Sequence, residues 1–120
     1  MVRSEIICKL EEHINSDKRV ILYDHSDAAI LHLLCDRIAE RGMQNVEIWC
    51  SVEAKNGDFA FLKLITEIQM KELLDLYYLY DFSDRVTVVA ESGQYGSLFN
   101  YIRNGILTPE EMLDAILYKI

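Results

Sequence analysis

The chain has 120 residues, enough for one domain (1–120) with a core of its own, and its composition, 51% hydrophobic and 27% charged, is that of a globular protein. Acidic residues number 20 against 12 basic ones, giving a net charge of −8 and a pI near 4.8. Phosphate binding needs clustered cations and none are clustered here, so the balance argues against nucleic-acid partners and against anionic membranes.

Ser4 is placed to cap a first helix, with Ile6, Ile7, Leu10 and Ile14 at helical spacing. The charged stretch from Met1 to Leu10 has no signal-peptide core, and no apolar run approaches the ~20 residues of a membrane span. The expected setting is therefore cytoplasmic. Val20-Ile21-Leu22-Tyr23 is apolar on both faces, the mark of a strand inside a covered sheet. Asp24-His25-Ser26-Asp27 is the turn into a second helix, with Ser26 as the expected N-cap. Ile30, Leu31, Leu34 and Ile38 make that helix's apolar stripe, and Gly42 suits the left-handed position after its end.

Val46, Ile48, Cys50 and Val52 alternate with Glu47, Trp49, Ser51 and Glu53, a period-two strand. Asn56-Gly57 is a hairpin signal, because a type I′ turn needs positive φ at both central residues. The stretch from Phe59 to Tyr80 reads in two ways. Thr66-Glu67-Ile68-Gln69 is a capping box, which favours a strand over Phe59–Ile65 and then a helix; the alternative is one long helix. Val86-Thr87-Val88-Val89-Ala90 is a β-branched strand. A short helix from Ser97 to Arg103 stops at Asn104-Gly105. Thr108-Pro109-Glu110-Glu111 then gives the clearest helix start in the chain.

The preferred order contains β-α-β-β-α-β, a ferredoxin-like split core with an extra N-terminal helix and two C-terminal helices, expected as an α/β/α sandwich. In that plan the last strand runs opposite to the first. Its second sheet face, carrying Trp49, is apolar and must be covered by the first helix, by the C-terminal helices or by a second subunit. If Phe59–Tyr80 is one helix, the plan becomes a parallel three-strand Rossmann-like β-α-β-α-β. The loops after the first and last strands then share one end of the sheet, where such folds bind ligands.

The three cysteines, Cys8, Cys35 and Cys50, form no C-x-x-C, and Cys35 and Cys50 read as small core residues. His32 and Cys35 share a helix face, but two ligands do not make a zinc site. Asp24-His25-Ser26-Asp27 has groups suited to metal or acid/base work, although a helix entry explains all of them but His25. Glu91-Ser92-Gly93-Gln94-Tyr95-Gly96-Ser97 lacks the lysine of a phosphate loop and reads as a tight turn needing positive φ. No nucleophile elbow and no H-E-x-x-H occurs, so no catalytic residue, metal or cofactor is assigned.

Two readings of function follow. The first is a non-enzymatic interaction or regulatory module that self-associates or docks a protein through Trp49, Phe61, Tyr77, Tyr78 and Tyr80, an apolar, Tyr-rich surplus. The second is a small-ligand-binding or divalent-metal-binding domain whose pocket is formed by Asp24, His25, Asp27, Glu91 and Ser92. The second requires the first and last strands to be parallel.

Overall fold

The computed structural model describes residues 18–50, 71, 74, 75 and 84–118. The expected first helix, the Asn56-Gly57 hairpin, the strand over Phe59–Ile65, the Thr66 capping box and Cys8 lie outside the described residues. So do Phe61, Tyr77, Tyr78 and Tyr80. Lys71, Leu74 and Asp75 are helical, which both readings of Phe59–Tyr80 require.

Three strands, β1 (Arg19–Asp24), β2 (Val46–Cys50) and β3 (Val86–Ala90), form a sheet in the order β2-β1-β3. β1 is central and parallel to both neighbours, with Ile21 opposite Ile48 on one side and Leu22 opposite Val88 on the other. The helices are α1 (Ala28–Glu40), α2 (Gly96–Arg103) and α3 (Pro109–Tyr118). The split-core plan is corrected here: its last strand had to oppose the first, whereas β3 runs parallel to β1.

Ile21, Tyr23, Val46, Ile48, Cys50 and Val89 point to one face of the sheet and pack with Ile30, Leu34, Phe99, Met112, Leu113 and Ile116. α1, α2 and α3 therefore all feed one core, on the same face. Of the candidates to cover the Trp49 face, the two C-terminal helices pack on the opposite face instead. That second face is nonetheless buried: Val20, Leu22, Trp49, Val86 and Val88 lie out of solvent. Burial on both faces is what a parallel sheet needs, and it explains the unbroken apolar run of β1.

Burial extends to Glu47, which the alternating pattern reads as a wet position. It is 5% exposed. A carboxylate there needs partners, and Lys18 Nζ donates to Oε1 at 2.6 Å while Trp49 Nε1 donates to Oε2 at 3.3 Å.

The helix ends follow local chemistry. After α1, Gly42 takes φ +65°, the Gly42 N–H donates to Ala39 C=O at 2.9 Å and the Met43 N–H to Ile38 C=O at 3.1 Å. This is a Schellman motif, and Gly105 closes α2 in the same way. α3 opens with a complete capping box, as its sequence predicts. Thr108 N–H donates to Glu111 Oε1, and Glu111 N–H to Thr108 Oγ1, both at 3.1 Å. Arg41, just past α1, ties the two long helices together through Glu110 and, at 2.8 Å, Asp114.

Candidate functional site

Parallel pairing brings the ends of β1 and β3 together. Asp24, the last residue of β1, is in register with Ala90, the last residue of β3. The Asp24–Asp27 loop and the loop beginning at Glu91 therefore leave the sheet side by side. The five residues read from sequence as a pocket meet at this end, but they are not equivalent.

Asp27 is the hub. Its Oδ1 accepts from the Ile30 N–H at 3.1 Å, so Asp27 and not Ser26 caps α1. One register step decides this: with α1 starting at Ala28, the cap is the residue just before it. Its Oδ2 accepts from Arg103 of α2, at 3.0 Å from Nε and 2.8 Å from Nη2. Its backbone N–H donates to His25 Nδ1 at 2.9 Å, and its carbonyl accepts from the Tyr23 hydroxyl at 2.6 Å. Every polar group of Asp27 is thus engaged.

Electrostatics follow from these contacts. Burial pushes the Asp27 carboxyl upward, but the hydrogen bonds from Arg103 and the Ile30 N–H outweigh it and hold the group below the ordinary carboxylate value. Burial, and then the Asp27 charge, pushes the Tyr23 phenol well above its ordinary value. Tyr23 is a fixed donor and not a base.

His25 is stacked. Its ring lies on Phe99 of α2 with centroids 3.9 Å apart and planes at 12°, and Phe99 in turn meets Tyr23 edge-on at 5.8 Å. Because Nδ1 accepts the Asp27 N–H, the neutral ring carries its own proton on Nε2. His25 and Asp27 are therefore parts of a clasp that binds the β1–α1 loop to α2. Sequence alone gives no sign of the two clasp partners on α2, Phe99 and Arg103. They lie more than 70 residues along the chain from Asp27, where only the fold makes them neighbours.

Asp24, Glu91 and Ser92 remain outside the clasp, Asp24 partly exposed and the other two exposed on the rim. The loop after β3 is wound tightly, with the Gly93 N–H donating to Ala90 C=O at 3.1 Å and the Gly96 N–H to Gly93 C=O at 3.0 Å. The positive φ expected in this loop is not the reason for Gly96. A Cβ on Gly96 would lie 2.2 Å from the Glu91 carbonyl oxygen, so close backbone approach requires the glycine.

Trp49, read as an interface residue, is buried within the chain at 1% exposure and offers no free surface. Cys35 and Cys50 are buried free thiols, as expected, and burial pushes Cys35 up to about 12. Among the described residues no group of His, Cys, Asp and Glu is placed to hold a metal ion, and no helix is long and apolar enough to cross a membrane. Neither protein-family models, nor curated proteins, nor solved structures give a match to this chain.

Proposed function

We propose that the chain is a Rossmann-like, non-catalytic domain that binds a small polar ligand between the ends of β1 and β3. The observation that carries this reading is the β2-β1-β3 order with both pairings parallel. From central β1 the chain turns to one side for β2, and β3 lies on the other, so the loops after β1 and β3 stand side by side at the end of the sheet where parallel folds of this kind bind ligands. Right-handed crossovers put successive connections of such a sheet on opposite faces. The burial of Leu22, Trp49 and Val88 opposite α1 fits that rule.

The rim favours a ligand rich in hydrogen-bond donors. Asp24 and Glu91 supply carboxylates and Ser92 a hydroxyl, and the cation described at this end, Arg103, is held by Asp27. Among the described residues a phosphate would meet these carboxylates, which disfavours nucleotides. A thermal-shift panel of amines, amino acids, sugars and nucleotides tests the reading. A ligand at one hundred times its Kd adds about 2.7 kcal/mol, on the order of ten degrees in a domain of this size. Loss of that shift in Asp24→Ala and Glu91→Ala supports the crevice. A ligand whose shift survives both substitutions contradicts it.

A second reading, a protein-docking or self-associating module, is favoured by three exposed large side chains, Tyr101, Ile106 and Tyr118. Ile106 is the most open at 70%. Sedimentation velocity at two concentrations separates the readings, since self-association raises the sedimentation coefficient with concentration and a monomeric ligand binder does not.

A further inference from the structure

We propose that α2 is a strut across this end of the sheet, and that Arg103 is the positioning residue through which it fixes the β1–α1 loop relative to the loop after β3. That these loops hold a ligand rests on the reading above, whereas the link between them does not.

Each end of α2 is anchored to a different loop. At its start, Gly96 lies against the backbone of the loop after β3, where an added Cβ would collide with the Glu91 carbonyl and come within 3.2 Å of the Ala90 oxygen. At its end, Arg103 grips the Asp27 carboxylate from Nε at 3.0 Å and Nη2 at 2.8 Å. Its third nitrogen, Nη1, donates to Asn100 Oδ1 at 3.3 Å, so the guanidinium is oriented from its own helix. Midway, Phe99 is buried against Tyr23 and His25.

A helix held in this way moves as one body. From Gly96 to Arg103 it rises about 10 Å, a length set by its backbone hydrogen bonds. Tyr95 and Phe99 seat it in the core, and close-packed interiors transmit displacement instead of absorbing it. Asp27 also caps α1 through Oδ1, so the hold of Arg103 on Oδ2 reaches the first turn of α1. The two rim carboxylates, Asp24 on one loop and Glu91 on the other, therefore keep a spacing that α2 sets. A guanidinium that only stabilised its own corner of the fold would have no such reach.

Amide nuclear magnetic resonance on the full chain without ligand tests the strut. Hydrogen exchange is followed at Gly93 and Gly96, whose N–H groups donate to the Ala90 and Gly93 carbonyls. In Arg103→Ala the amide signals of Glu91, Ser92 and Gly93 should shift along with those of residues 25–28. Exchange at Gly93 and Gly96 should be about fivefold faster, the factor that a half-exposed ion pair can supply. Arg103→Lys keeps the charge and a donor, and should bring residues 91–93 part of the way back to wild type. Arg41→Ala breaks the pairs with Glu110 and Asp114 past the far end of α1, and should leave residues 91–93 in place. Shifts in Arg103→Ala that stop short of residues 91–93 overturn the strut, as does equal movement of those residues in Arg41→Ala. Coupling is reciprocal, so Gly96→Ala should shift the Asp27 amide from the other end. An unmoved Asp27 amide there also overturns the strut, and this variant decides if Arg103→Ala does not fold. Failure of every candidate ligand to bind leaves these readouts unaffected.

Discussion

Asp27 and Arg103, 76 residues apart in sequence, are joined by two hydrogen bonds of 2.8 and 3.0 Å, and through them α2 holds the cap of α1. The same carboxylate does two jobs, one oxygen for the α1 N-terminus and the other for the guanidinium. Removing it should cost more than removing its partner. Asp27→Ala loses a cap worth about 1 kcal/mol in addition to the ion pair, whereas Arg103→Ala loses a half-exposed pair worth up to about 1 kcal/mol. Denaturant unfolding of both single variants and the double variant should show the single effects failing to add.

The depressed Asp27 carboxyl makes this contribution pH-dependent. Its folded value lies below the unfolded one of about 3.9, so the stabilisation is complete above the unfolded value and lost as pH falls through the folded one. The stability gap between wild type and Asp27→Asn should therefore be constant near neutrality and narrow on acidification below about pH 4. Melting temperatures across that range check it. A gap that widens in acid would contradict the assignment.

Gly96 and Gly42 should respond differently to alanine. At Gly42 the cost is the left-handed conformation alone, roughly 1 kcal/mol, because a Cβ there meets nothing within 4 Å. At Gly96 a Cβ collides with the backbone of Glu91, and the loop after β3 must shift. Gly96→Ala should cost about 1–3 kcal/mol and disturb the amide signals of Glu91 and Ser92, whereas Gly42→Ala leaves those signals in place.

Burial and a thiol pushed up to about 12 make Cys35 unreactive in the folded chain. A thiol reagent applied to native protein should leave Cys35 and Cys50 unmodified by peptide mapping. Both should react fully in denaturant. Fast native labelling of Cys35 would contradict its placement in the core.

Local signals were the legible part of this sequence. The Thr108 capping box, Gly42 after α1, the stop at Asn104-Gly105 and the three strands each depend on residues within one turn or one strand, and each is found where the pattern puts it. Strand direction was not legible. It turned on whether Phe59–Tyr80 holds a strand, and Asn56-Gly57 with a mid-run capping box favoured the plan that β3 contradicts. Ser26 and Asp27 are both good caps, and only the start of α1 at Ala28 separates them. Asp24, His25, Asp27, Glu91 and Ser92 lie at one end of the sheet because β1 and β3 are parallel, and their division into a clasp and a rim depends on Phe99 and Arg103. The Trp49 face was read as apolar and in need of cover, and it is buried; the burial of Glu47 on that face was not legible, because it depends on Lys18 and Trp49 as partners.

The most direct test of the crevice is an amide-resolved titration of the wild-type chain with the ligand giving the largest thermal shift. The account predicts saturable perturbations concentrated at residues 24–27 and 91–93, at the ends of β1 and β3. Saturable perturbations elsewhere, with those two loops unmoved, would contradict it.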